Sequence, residues 1–255
     1  MYRAFTFALA SSAALAASTA YISGQVTSTE KFLYGKFRAQ VTCPGAKGST
    51  VGFFTQWTGP DYDFFKWNSI EMEIVPSLDP TPLSLDLSYG DGTQRLQAQN
   101  YDPNFQPGVY TPHVYEFTWT PNEVSFIADG QVLKQYFKGD PYVDQQTKPQ
   151  NILFNMWSPA SFAHTEDWSA GRDDSTMPWY AMADWIEYHS WDENTDTFNF
   201  SWRDDFDSLD YSKWTPAHEF TFNENLSTYM HDQVYIDKGQ LVLQLKKNEN
   251  RTNSW

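Results

Sequence analysis

Ser69, Glu71 and Glu73 occupy alternate positions of WNSIEMEIVP, the stretch from Trp67 to Pro76. In a strand such alternation puts all three side chains on one face, so two carboxyl groups and a hydroxyl look the same way. Carboxyl groups paired like this can divide acid–base and nucleophilic work between them. Two residues of strand separate Glu71 from Glu73 by about 6.6 Å, close to the separation that working pairs use. Ser69 is no equivalent of a carboxylate, because its alkoxide needs a base and no His lies nearby in the sequence. The residues alone leave three readings open: a working pair of acids, a catalytic strand from which one acid is missing, or two solvated carboxylates on an exposed strand.

A sheet must position such a strand, and the chain is rich in short strand patterns. YGKFRAQVTC, STVGFFTQW, SIEMEIV, LSLDLSY, VYEFTWT, EVSFIADGQVLKQY, NILFNMW and YAMADWIEYHSW are aromatic and β-branched, mostly alternating, and divided by Gly, Pro, Asn and Asp. Asp129-Gly130 between SFIA and QVLKQY is a hairpin signal. Amphipathic helical windows are scarce. Many short antiparallel strands predict an all-β sandwich or jelly roll. After the polar break DENTDT, a last block runs from FNFSWRDDFDSLDYSKW to a hairpin at Lys238-Gly239. It has too few apolar residues for its own core and is expected to add strands to the same sandwich.

Composition narrows the function. Residues 1–20, with one Arg, an Ala-rich apolar run and a Ser18-Thr19-Ala20 end, have the pattern of a secretory signal peptide. The remaining 235 residues, 21–255, fit a single β domain, secreted or extracellular, with no membrane anchor. Without Arg3 there are 16 basic and 32 acidic residues, a formal charge of −16, which repels nucleic acid and anionic lipid surfaces. The 11 Trp, 15 Tyr and 19 Phe offer flat rings on which sugars can lie, or else fill a β core. The lone Cys43 forms no internal disulfide. Asn199, Asn225 and Asn250 begin glycosylation sequons. No cofactor is required. Asp204, Asp205, Asp207 and Asp210 have the ligand type for a structural calcium but lack the spaced ligands and glycine of a calcium hand, so a solvated acidic turn is the plainer reading.

Taken in order, YGKF, WNSIEMEI, PHVYEFTWTPNEVSFIADG, NILFNMWSP, ADWIEYHSW and FSWRDDFDSLDYSKW through YIDKGQLVLQL resemble glycoside hydrolase family 16, and within it the circularly permuted bacterial lichenases that cut mixed-linkage β-glucan. The resemblance runs from about Ser23 to Lys247. It implies a concanavalin A-like jelly roll with a sugar-binding cleft, and a permuted order in which the usual first block comes last. The family's catalytic strand reads Glu-x-Asp-x-Glu: nucleophile, helper, general acid/base. Laid on this sequence, the resemblance makes Glu73 the acid/base, Glu71 a longer helper, and Ser69 the occupant of the nucleophile position.

The resemblance also implies a glucan cleft lined by Trp67, Asn155, Trp157 and Trp185. Gln25 stands where the permuted lichenases carry Glu, Asp86 where they carry Asn, and Phe220 where they carry Trp; these departures bear on linkage preference. His113 matches a family His and reads as a structural hydrogen-bonding residue. Two functions follow. One is a secreted β-glucan-binding protein whose hydrolysis is weak or lost. The other is an active endo-β-glucanase or transglycosylase in which Glu71, with Glu73, replaces the lost nucleophile or activates a water held by Ser69. The partner in both is a β-glucan polysaccharide, not nucleic acid or membrane, and nothing in the sequence sets the oligomeric state.

Overall fold

The computed structural model describes residues 19–59, 66–80, 82–101, 105, 111–161 and 167–249. Residues 1–18 of the leader and the Asn250 sequon lie outside the described residues. Two sheets make the fold. The first has seven strands in the order β14 (Trp214–Pro216), β2 (Gln25–Phe32), β11 (Gln150–Trp157), β4 (Thr50–Gln56), β5 (Asn68–Ile74), β6 (Leu83–Gly90) and β7 (Arg95–Tyr101). The second runs β10 (Gln131–Phe137), β9 (Glu123–Ala128), β8 (Pro112–Trp119), β3 (Gly35–Thr42), β12 (Trp179–Asp192), β17 (Gln240–Lys247), β1 (Tyr21–Ser23) and β15 (Ser227–Tyr229). Beside it, β13 (Thr197–Asp204) pairs with β12 and β16 (Val234–Asp237) with β17. The last block thus contributes to both sheets. The architecture is the expected all-β jelly-roll sandwich.

Alternation sets which face each strand buries. On β5, Ile70, Met72 and Ile74 are at most 4% exposed and belong to the core between the sheets; on β6, Leu83, Leu85 and Leu87 do the same. Each such side chain contributes roughly 1.5–3 kcal/mol by leaving water. A one-residue slip would exchange them for polar neighbours, so the apolar set fixes the register. Phe53 of β4 meets Phe117 of β8 across the sandwich at 5.5 Å, and Phe117 stacks on Phe37 of β3 at 5.0 Å.

The two hairpin signals are both borne out. Asp129 and Gly130 have φ of 46° and 78°, and Lys238 and Gly239 have 52° and 73°, the left-handed pair that a two-residue turn needs to match strand twist. At Gly130 an added Cβ would meet nothing within 4 Å, so only the backbone opposes substitution. Gly130→Ala is expected to lower stability by about 1 kcal/mol, seen as an earlier urea midpoint with an unchanged slope. An unchanged midpoint would contradict this turn geometry.

The acidic cluster serves its own turn. Asp204 accepts from the Phe206 amide (3.0 Å) and the Trp214 indole (2.9 Å), Asp205 pairs with Arg203 (2.6 Å), and Asp210 accepts from the Ser212 amide (2.8 Å). Among the described residues no group of three or more His, Cys, Asp or Glu is placed to hold a metal ion. Asn225 is buried and its Oδ1 accepts from the Ser227 amide, whereas Asn199 is exposed on β13.

Candidate active site

The polar faces of β5 and β6 turn away from the core, and cross-strand register lays them out in rows. One row reads Gln25, Asn155, Gly52, Glu73, Ser84, Tyr101, and the next Thr27, Leu153, Phe54, Glu71, Asp86, Gln99. A third places Gln56, Ser69, Ser88 and Gln97 side by side. Residues from strands far apart in sequence therefore meet on one surface, with the three positions of the opening motif at its centre.

Around Ser69 the polar atoms form a closed chain. The Trp67 indole N–H donates to Ser69 Oγ at 2.5 Å, and that hydroxyl donates to the Glu71 carboxylate. Arg95, on edge strand β7, donates to Glu71 at 3.3 Å and to Ser88 Oγ at 3.1 Å, while its guanidinium lies 4.1 Å from the Trp67 ring centroid. Arg95 thus matches the charge of Glu71, which is only 9% exposed, and covers one face of Trp67.

Crowded carboxyl groups in a desolvated place do not all ionise. Burial first, then the charges of Glu71 and Asp86, push Glu73 well above the usual carboxylate range; Arg95 and a hydrogen bond from Trp157 oppose this. Asp86 is pushed up to about 7, by burial and then by Glu71, against the hydrogen bonds from Gln97 (3.0 Å) and Ser84 (2.8 Å). Glu73 accordingly holds its proton more tightly than an ordinary carboxyl, beside a Glu71 that is paired with Arg95. Two carboxyl groups in unlike environments are what acid–nucleophile division requires.

Beside Glu73 the sheet offers an open acceptor. Asn155 Nδ2 donates to Tyr229 Oη at 3.1 Å and to Gln25 at 3.4 Å, but its buried Oδ1 has no hydrogen-bond partner among the described residues. A Cβ at Gly52 would stand 2.7 Å from that oxygen, so only glycine lets Asn155 sit there. An orphaned acceptor at such a place suits a ligand hydroxyl. An aromatic wall closes the side: Trp157 packs on Phe222 (5.2 Å) and Trp168 (6.1 Å), and Phe220, 48% exposed, stacks on buried Tyr229.

Eight of the expected cleft residues and catalytic positions, Ser69, Glu71, Glu73, Trp67, Asn155, Trp157, Asp86 and Gln25, come together on this face, and Phe220 stands on its wall. Trp185 does not. It sits on β12 in the other sheet, opposite Gln40, to which its indole donates at 3.0 Å, with Arg203 (4.4 Å) and Arg38 (5.5 Å) over its ring. The faces of that sheet are the core and the far outer surface, so Trp185 is an outer-face residue and not part of the cleft. His113 bonds Asp129 at 2.7 Å, in keeping with a structural role.

Arg95, Tyr101, Trp168 and Tyr229 were absent from the sequence-based site. Alternation in RLQAQNY, which puts Arg95, Gln97, Gln99 and Tyr101 on one face, was the available signal for the first two.

The family model for glycosyl hydrolases family 16 matches residues 3–186. A beta-glucanase of Fibrobacter succinogenes (strain ATCC 19169 / S85) is 26% identical over 251 residues, spanning 94% of this chain and 70% of that protein. The beta-glucanase of Bacillus subtilis (strain 168) is 27% identical over 168 residues, 65% of this chain and 62% of the relative. Among solved structures, a Bacteroides ovatus mixed linkage glucan family 16 protein in complex with its G4G4G3G product has a TM-score of 0.52 at 16% identity, covering 64% of this chain and 79% of that one. Bacillus licheniformis beta-glucanase has a TM-score of 0.50 at 22% identity, covering 66% and 77%. These last two are likenesses of fold.

Proposed function

Because this chain belongs to glycosyl hydrolases family 16, we propose that it is a secreted protein that holds β-glucan across β5 and β6 and hydrolyses it weakly or not at all. The observation that carries this reading is Ser69. A retaining glycosidase needs one carboxylate to attack the anomeric carbon and a second to protonate the departing oxygen. Glu73 has the raised affinity for a proton that suits the second task. The position expected for the first holds a hydroxyl already engaged by Trp67 and Glu71. The binding surface, by contrast, keeps Asn155 and Trp157 and has an aromatic ring, Phe220, where the resemblance expects Trp, and the Fibrobacter and Bacillus relatives are named beta-glucanases.

One observation favours the active alternative: Arg95 holds Glu71 beside Glu73, whose affinity for a proton is raised. In that case Glu71 would attack in place of the absent acid, and both Glu71→Gln and Glu73→Gln would abolish cutting.

Affinity electrophoresis tests the binding half. Lichenan in the gel is expected to retard the protein and dextran to leave its mobility unchanged. Phe220→Ala removes a half-exposed stacking ring and is expected to weaken retardation about threefold to tenfold while the melting temperature barely moves. Equal mobility of the wild type in all gels would end the glucan-binding reading.

A further inference from the structure

Two histidines at the rim of the Phe220 wall point their ring nitrogens at each other. The backbone of Ala217, just before His218, is held by its amide on the Gln25 carbonyl (2.9 Å). Met230, just before His231, is held by its amide on the Ser23 carbonyl (2.9 Å). Between these anchors an isolated antiparallel bridge joins Phe220 to Tyr229, with N–O distances of 3.4 and 2.7 Å. Counting two residues back from Phe220 and two on from Tyr229 brings His218 opposite His231, beyond Glu219, whose φ is 51°, and at the start of the 3-10 turn His231–Gln233. Their Nδ1 atoms are 2.8 Å apart, with ring centroids at 4.4 Å and planes at 75°.

A contact between two Nδ1 atoms at that distance needs one shared proton, with one ring as donor and the other as acceptor. Without the proton, two Nδ1 lone pairs lie within reach of one cation placed beside them. Metal–imidazole bonds of about 2.0–2.1 Å put neighbouring ligand nitrogens roughly 3.0–3.4 Å apart, so a few tenths of an ångström of opening is enough. His113 and His189 are otherwise engaged, with Asp129 and Glu187 at 2.7 Å each.

We propose that His218 and His231 form a two-imidazole site, through Nδ1 of each, for one divalent cation of borderline softness such as Zn²⁺, Ni²⁺ or Cu²⁺. Imidazole favours these ions over calcium or magnesium, whose ligands are oxygens. Binding moves the shared proton to Nε2 of the donor ring, and water completes the coordination sphere. The ion clasps the two segments that carry Phe220 and Tyr229, so it also ties down the cleft wall.

Isothermal titration of the untagged full chain with ZnCl₂, NiCl₂ and CaCl₂ tests the assignment. Zinc and nickel are expected to bind and calcium is not. His218→Ala and His231→Ala, both exposed and tolerable changes, should each weaken zinc binding at least about tenfold, while His113→Ala leaves it unchanged. In the wild type, zinc should shift the Nδ1 resonances of both histidines in ¹⁵N spectra. Zinc affinity that survives either substitution, a response at Nε2 instead of Nδ1, or no binding of zinc or nickel would overturn the proposal.

Discussion

Ser69→Glu is expected to raise β-glucan hydrolysis at least about 100-fold over the wild-type chain. Removing a member of a catalytic unit lowers rates by roughly 10⁴ to 10⁶, so restoring a carboxylate should recover part of that range. The new side chain would leave β5 on the face that carries Glu71 and Glu73, with the Trp67 indole N–H and Arg95 at hand as partners. Recovery is expected to be partial for two reasons. Glu71 would repel the new carboxylate and raise its affinity for a proton. Arg95 already lies between Glu71 and Ser88 and must shift. Shortening the helper with Glu71→Asp should therefore add to the gain, and the first product should keep its anomeric configuration. The measurement is release of reducing sugar from lichenan. A Ser69→Glu protein that folds and is retarded by glucan, yet cuts no more than wild type, would refute Ser69 as the site of the missing acid.

Asp86→Asn is expected to stabilise the protein by up to about 4 kcal/mol at pH 8 and by little at pH 4. The sign follows from proton linkage. Asp86 is raised from its ordinary 3.8 to about 7 in the folded chain. Between those values the folded state holds a proton that the unfolded state has released, so stability falls as pH rises and levels off above 7. The span corresponds to about 4 kcal/mol. An amide keeps the Gln97 hydrogen bond and can donate to Ser84 without carrying a charge into a fully buried place beside Glu71. Some of the gain passes through Glu73, which also responds to the charge on Asp86. Urea denaturation of both proteins at pH 4 and pH 8 checks this. Equal stabilisation at the two pH values, or a loss at pH 8, would show that Asp86 carries no such burden.

The two-sided character of β5 and β6 was legible because Ile70, Met72, Ile74, Leu83, Leu85 and Leu87 alternate with Ser69, Glu71, Glu73, Ser84, Asp86 and Ser88. The Asp129-Gly130 turn was legible because left-handed pairs favour both residues, and the Lys238-Gly239 turn through Gly239 between two alternating runs. Strands β2 and β7 were not legible: QVTSTEKF is a polar near-edge segment with little apolar alternation, and in RLQAQNY, on the sheet edge, the alternation is carried only by Leu96 and Ala98 among polar neighbours. Arg95 was lost with β7. Trp185 was misplaced because a sequence names a strand's residues without naming its sheet. On β12 the register also shifts between Ala183 and Trp185, which exchanges inward and outward positions midway. Tyr229 and Trp168 reach the cleft from segments remote in sequence, through contacts that no local pattern encodes.

The alternation along β5 makes its two faces mutationally independent. A change at Ile70, Met72 or Ile74 acts on folding, because those side chains fill the core. On the proposed function a change at Ser69, Glu71 or Glu73 would act on catalysis or binding, and removing the Glu73 carboxyl would take away a group whose ionised form burial and the charges of Glu71 and Asp86 disfavour. Loss of an acid here that, unlike Glu71, has no cation paired with it is therefore a step that selection for stability would not oppose. On the proposed function, a lineage could pass from cutting a polymer to holding it, and back, by exchanging single outward residues while the jelly roll beneath stays the same.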